Sequence, residues 1–248
     1  LINRMGFNNP GSKKMASHLS ETKKPNIPVF LNVGKSKITS LEDAHLDYAK
    51  TVEVCGPYVD GFVINVSSPN TPNLRELQEN SQLDRILKSC NLVNSQMSVQ
   101  EDSSPKPILV KVSPDLTDDQ ILAVADTALA NNCAGIVATN TTTKRSSNNK
   151  VMNEKGGLSG YPLRKRSTEV IHLLFEHTNG KLPIIGVGGI SSGRDCYEKI
   201  KSGASLVQLY TALVYSGPNL INSMKGDLID LIKTDGYKNV SEVIGKSV

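Results

Sequence analysis

Six short runs rich in β-branched residues recur along this chain, at 28–33, 60–66, 107–113, 134–139, 183–188 and 205–210. Each is apolar nearly throughout instead of alternating apolar with polar. Strands read that way when both faces are covered, and parallel strands flanked by helices are the usual case. The stretches between them predict helices over about 11–22, 41–55, 76–95, 162–177, 192–202 and 218–233, with Ser40-Leu41-Glu42-Asp43 placed to cap the second. Thr117-Asp118-Asp119-Gln120 has the spacing of a capping box. After it, Ile121, Leu122, Val124, Ala125, Ala128 and Leu129 mark one helical face. Strands alternating with helices define an α/β protein with a mostly parallel sheet.

Such a sheet is either open and doubly wound or closed into a barrel. No G-x-G-x-x-G follows an early strand, as a dinucleotide-binding sheet requires. The glycine-rich turn Gly186-Val187-Gly188-Gly189 instead follows the second-to-last strand. Barrels commonly build their phosphate sites there, so the pattern predicts a (β/α)8 TIM barrel with six of its eight βα units visible. A whole barrel needs about 250 residues. The chain has 248, but two polar insertions, at 95–106 and 140–157, lengthen the six units. Residues 1–248 are therefore expected to be most of one barrel domain. The first insertion reads as a solvated surface loop; the second follows a strand's C-terminal end, where it is placed to cover a ligand.

Composition excludes several classes. The net charge of +4, from 28 basic and 24 acidic residues, does not by itself imply a nucleic-acid partner. With no Trp and 4% aromatic residues, a base-stacking platform is not expected. Cys55, Cys90, Cys133 and Cys196 lie far apart with no C-x-x-C, the pattern of buried structural thiols. His18, His45, His172 and His177 join no cluster at metal-ligand spacing, so no metal site is expected. No apolar stretch approaches the ~18 residues of a membrane span, and no G-x-S-x-G marks a hydrolase elbow.

The informative residues lie at the strand ends: Asn32; Asn65, Ser67, Ser68 and Asn70; Lys111 and Ser113; Thr139, Asn140 and Thr141; Gly188 and Gly189; Tyr210 and Thr211. One such residue is ordinary turn chemistry. Six strands all ending in amides, hydroxyls or glycines point to a planar polar ligand, because each amide offers a donor and an acceptor. Lys111 inside an apolar strand is a surface lysine on an edge strand, a Schiff-base nucleophile, or a cation beside an anionic cofactor. Gly156-Gly157-Leu158-Ser159-Gly160 and Gly188-Gly189 are turns where backbone N–H groups can approach a phosphate.

Together these segments resemble a known family. Ile2-Asn3-Arg4-Met5-Gly6-Phe7-Asn8, Asn65-Val66-Ser67-Ser68-Pro69-Asn70-Thr71, the two glycine turns and Gly203-Ala204-Ser205-Leu206-Val207-Gln208-Leu209-Tyr210-Thr211 are similar to dihydroorotate dehydrogenases, over essentially the whole chain. The wording is closest to the class 2, quinone-dependent branch, in the manner of a fungal mitochondrial member. The resemblance implies oxidation of (S)-dihydroorotate to orotate in pyrimidine (UMP) biosynthesis by an FMN flavoprotein, with ubiquinone as electron acceptor. It implies that Asn3, Asn65, Asn70, Asn140 and Thr141 hold the substrate. It assigns FMN contacts to Asn32, Lys111, Thr139, Ser159, Gly160, Gly188, Gly189, Tyr210 and Thr211. Ser68 corresponds to the base that removes the C5 proton, a position where class 1 members carry Cys. Phe7 and Thr71 correspond to residues bordering the proton-exit route, and the segment from Ser68 to about Gln78 to a mobile loop.

The resemblance further implies a monomer at the mitochondrial inner membrane, contacting the membrane through a helical segment that precedes Leu1. That segment, the first barrel strands and a substrate-binding lysine are missing from this chain, so the chain alone is expected neither to hold FMN tightly nor to reduce quinone. Competing readings are a flavin barrel acting on RNA, like the tRNA-dihydrouridine synthases, a Lys111 aldolase, and a truncated non-catalytic fragment. Ser68 stands against the first, because those enzymes use a Cys at the matching position.

Overall fold

The computed structural model describes residues 1–71, 73–145 and 154–247. In chain order the strands are β1 (Ile2–Asn3), β2 (Phe30–Val33), β3 (Gly61–Asn65), β4 (Ile108–Val112), β5 (Gly135–Ala138), β6 (Gly157–Leu158), β7 (Ile184–Val187) and β8 (Leu206–Gln208). The helices are α1 (Ser12–Glu21), α2 (Ala44–Cys55), α3 (Asn80–Gln100), α4 (Asp118–Ala130), α5 (Arg164–Thr178), α6 (Gly193–Lys201), α7 (Thr211–Ser216) and α8 (Asn219–Thr234).

All six predicted strands form, and they pair in parallel in the order β2-β3-β4-β5-β7-β8. Spatial order follows chain order, as in a barrel wall built from successive βα units. Because side chains alternate, each strand has an outer and an inner row. Outer residues such as Phe62, Ile64, Val110 and Ile136 pack with Tyr48, Val52, Ile86, Val124, Ile171 and Leu174 of the helices into one large core. Inner residues Val63, Leu109 and Val137 form a separate cluster with Ile185 and Val187. A strand buried on both faces must be apolar in both rows, which is why these runs do not alternate.

Helix boundaries follow local chemistry. The Thr117 hydroxyl accepts from the Gln120 N–H while the Gln120 side chain accepts from the Thr117 N–H, so the capping box starts α4 as its spacing predicts. Two expectations need correction. Ser40 does not cap α2; its hydroxyl closes a turn on Asp43, and the helix starts at Ala44. The polar stretch 95–106 is not wholly a loop either, because α3 runs on to Gln100. Asn94 and Ser98 are buried there, and Met97 packs against the outer core and over Gly56. A polar sequence thus hides a helical stripe of period 3 to 4.

The ribbon of β1 and β6 had no sequence signature. Ile2 pairs with Leu158 and Asn3 with Gly157, antiparallel. Glycine is required at the crossing: a methyl group at Gly157 would lie 2.0 Å from the Thr141 hydroxyl, and one at Gly156 2.3 Å from the Asn3 carbonyl. Those two glycines therefore serve close packing. Residues 146–153 of the 140–157 insertion fall outside the described residues.

Candidate active site

The inner row carries the site. Pairing sets Asn32 beside Val63, Asn65 beside Lys111, and Lys111 beside Val137. Asn65 and Lys111 are each two residues beyond an inner apolar residue, so both face inward one layer nearer the strands' C-terminal ends. The lower layer is hydrocarbon and the upper layer is polar. Lys111 lies on β4, which is flanked on both sides, so the edge-strand reading of this lysine is excluded. Burial disfavours its charged form and pulls its pKa below the ordinary lysine range.

The amides form a connected network. The Asn65 Nδ2 donates to Asn32 Oδ1 at 2.9 Å. Asn140 Nδ2 donates to Asn65 Oδ1 at 3.2 Å and to the Ser67 hydroxyl at 3.0 Å. The Asn140 Oδ1 accepts from the Thr141 N–H at 2.7 Å. Asn70 Nδ2 reaches the carbonyl and the side chain of Asn3, at 2.9 and 3.2 Å. The amides of Asn32, Asn65 and Asn140, from three strand ends, are thereby fixed relative to one another, and Asn70 with Asn3 forms a separate pair.

Above this network lies a cavity of about 700 Å³, within the usual range for small-molecule sites. Its wall includes Asn3, Lys111, Thr139, Asn140 and Thr141. Ser159, Gly160, Gly188, Gly189, Tyr210 and Thr211 line it as well. Thr211 donates to the Ser159 hydroxyl at 2.8 Å, tying these last two segments together. Gly188 and Gly189 have φ of 125° and 72°. A methyl at Gly189 would fall 2.4 Å from Arg164 Cβ, so this turn seats directly on the start of α5. A glycine turn against a helix start presents N–H groups to an anion.

The remaining predicted residues sit apart from that cavity. Ser68 is buried, its hydroxyl accepting from the Asn70 N–H at 3.3 Å. Phe7 and Asn32 line a second cavity of about 710 Å³. Thr71 is buried, and its hydroxyl has no partner among the described residues.

Arg75 and Asp115 escaped the sequence reading. Arg75 lies in the short 3-10 turn Leu74–Gln78. Its guanidinium pairs with Asp115 at 2.9 Å and donates to the Ser67 and Thr141 carbonyls at 3.4 and 3.3 Å. Asp115 also accepts from the Thr142 hydroxyl and from the Thr143 N–H and hydroxyl. Burial raises the Asp115 pKa, but those hydrogen bonds and the Arg75 charge outweigh it and hold the carboxyl below its ordinary range. One ion pair thus joins the segments following β3, β4 and β5.

A parallel α/β wall with a polar cavity at the C-terminal strand ends defines an enzyme-like barrel architecture, where ligand sites occupy that face. The family model for dihydroorotate dehydrogenase matches residues 1–232, and the chain belongs to that family. A dihydroorotate dehydrogenase (quinone) from Crocosphaera subtropica is 46% identical over 98% of this chain and 65% of its own length. One from Halobacterium salinarum is 47% identical over 99% of this chain and 67% of its own. The ligand-free DHODH structure from Eimeria tenella superposes with a TM-score of 0.90 at 34% identity, over 99% of this chain and 73% of that one. The chain thus spans about two thirds of the length of these curated relatives.

The expected mitochondrial location is corrected: the curated relatives are bacterial and archaeal proteins, which are not mitochondrial. No helix among the described residues is long and apolar enough to cross a membrane.

Proposed function

We propose that residues 1–248 form the larger part of an FMN-binding barrel domain that oxidises (S)-dihydroorotate to orotate for pyrimidine synthesis. The observation that carries this reading is the cavity of about 700 Å³ lined by amides, Lys111 and a glycine turn. Its volume, its cation and its anion-ready turn fit a flavin mononucleotide. The group would be held by Lys111, Thr139, Ser159, Gly160, Gly188, Gly189, Tyr210 and Thr211, with Asn32 acting through Asn65. When bound, FMN supplies the two-electron acceptor.

The chain's own residues do the rest. Asn65, Asn140, Asn3 and Asn70 present donors and acceptors to the edges of a planar pyrimidine, and Thr141 adds a hydroxyl. Because the network fixes the amides before substrate arrives, orientation costs little entropy on binding. Lys111 is a fixed cation in a poorly solvated wall, so it stabilises negative charge that develops beside it.

Ser68 takes the C5 proton. A serine hydroxyl is a weak base at its ordinary pKa and needs a group to relay its proton onward. The unpartnered Thr71 hydroxyl offers that next acceptor, with Phe7 at the outer end of the route. Quinone is the electron acceptor on this reading, as the relatives' names suggest.

The test uses the full-length protein, assayed for dihydroorotate oxidation with a quinone analogue and separately with fumarate. Ser68→Ala should slow flavin reduction by about 10²- to 10⁴-fold while FMN stays bound. An unchanged rate removes Ser68 from the mechanism, and an absence of flavin in the purified protein removes the whole reading.

A further inference from the structure

Lys199 is a buried cation that the proposed chemistry does not use. Its side chain on α6 has no solvent exposure. The Nζ donates to the Ser167 and Thr168 hydroxyls, both at 3.0 Å. Among the described residues no carboxylate lies within ion-pair distance of it. Asp195, the buried acid on the same helix, is instead engaged by Arg164 at 2.6 Å. A buried charge satisfied only by neutral oxygens is costly, and such groups persist where an opposite charge compensates them.

The position of Lys199 says where that charge belongs. Ser167, which accepts from Lys199, donates to the Val187 carbonyl at 2.7 Å. Val187 is the last residue of β7, immediately before Gly188. A methyl group placed on Gly188 would lie 3.1 Å from Ser167 Cβ. One side chain therefore separates the ammonium from the turn that walls the cavity. Gly188 and Gly189 face the cavity on one side of that wall, and Lys199 lies on the other.

We propose that Lys199 is a positioning residue for anion binding, whose buried charge behind the Gly188-Gly189 turn makes the site select a flavin carrying a phosphate over one without. This rests on the flavin reading above and adds to it a source of selectivity that does not touch the ligand. In a poorly solvated wall, Coulomb attraction acts across a side chain's width with little screening. The hydroxyl relay through Ser167 also fixes the strand end from which the turn departs.

The groups facing Lys199 are Asp195, Glu198 and Cys196 on α6 and Arg164 on α5. Burial pulls Lys199 down to about 8, against the opposing charge of Asp195. Burial pushes the Cys196 thiol up to about 11, and Asp195 is held below the ordinary carboxylate range. Near pH 8, Lys199 therefore changes charge, whereas Asp195 and Cys196 do not.

The experiment titrates flavin-stripped, full-length protein with FMN and with riboflavin, read by flavin fluorescence. Lys199→Met keeps the stem and removes the charge. It should weaken FMN about tenfold or more and leave riboflavin within about twofold. Equal weakening of both flavins would show a packing role alone, and no change in either would also overturn the proposal. Should the variant not fold, the wild-type protein decides. Its FMN-to-riboflavin affinity ratio should fall as the pH rises beyond about 8, since Lys199 is charged below that value and neutral above it. A ratio that stays flat to about pH 10 overturns the proposal. Wild-type protein that binds neither flavin would overturn both this inference and the flavin reading.

Discussion

Two connections border the site and are held by opposite means. The β3–α3 connection carries Ser68 and is fixed by side chains reaching across to other loops. Asn70 holds Asn3, Arg75 holds Asp115, and the buried Gln78 accepts from the Ser113 N–H at 3.0 Å. The β7–α6 connection carries Gly188 and Gly189 and is fixed by close packing on α5 and by short-range bonds within itself. Glycines lie flush against α5, Ser192 caps α6 by accepting from the Asp195 N–H, and Asp195 accepts from Ser191. Polar contacts between loops can be exchanged individually, whereas close-packed backbone has one arrangement. The segment with the proposed base is thus adjustable, and the segment with the proposed anion turn is rigid.

The largest effect should come from breaking the rigid side. Gly189→Val places a branched side chain into Arg164 at a backbone φ of 72°. It should cost about 3 kcal/mol or more of stability and abolish flavin retention. Denaturant melts with the flavin spectrum of the purified protein test this; a retained flavin would show that the turn tolerates adjustment.

Breaking the adjustable side should spare binding. Arg75→Ala frees the segment beside Ser68 and should slow flavin reduction by dihydroorotate about 100-fold, with FMN affinity unchanged. Stopped-flow reduction and flavin titration separate the two readouts. Asp115→Asn sharpens the same point through pH. The folded-state pKa of Asp115 is depressed, so its ionised form contributes stability above the unfolded value of about 4. That contribution is lost as the pH falls through the folded value. The stability gap between wild type and Asp115→Asn should therefore be present at neutral pH and close in acid. A gap that persists in acid would mean that the carboxylate charge is not what joins the loops. The smallest effect belongs to Thr117→Ala, outside both connections. Losing the α4 cap should cost about 1 kcal/mol and leave FMN affinity unaltered.

The wall of the fold was readable because its rules are local. Strands apolar in both rows, Thr117–Gln120 at capping spacing and Gly188-Gly189 after a late strand each act within a few residues. The same holds for the strand-end amides, whose crowding at one face needs only the direction of the strands. What sequence did not reveal depends on distance. Arg75 and Asp115 are 40 residues apart, and nothing near either one names the other. The β1–β6 ribbon is two residues per strand, too short for any periodicity. The end of α3 was hidden for another reason, because its buried stripe uses Asn94, Met97 and Ser98 where aliphatic residues are the usual signal. Lys199 reads as an ordinary helical surface lysine until the packing of α6 on α5 is known.

The ribbon also bears on the order of assembly. The Ser159 N–H donates to the Leu1 carbonyl at 2.9 Å from far along the sequence, and Asn3 finds its partner strand only at Gly157. On a ribosome, Asn3 emerges well before the strand that seats it. Contacts of such long range form late, since the intervening loop must close first. The cavity cannot be finished by any part of the wall folding alone, so capture of a ligand there doubles as a readout that the two distant segments have met.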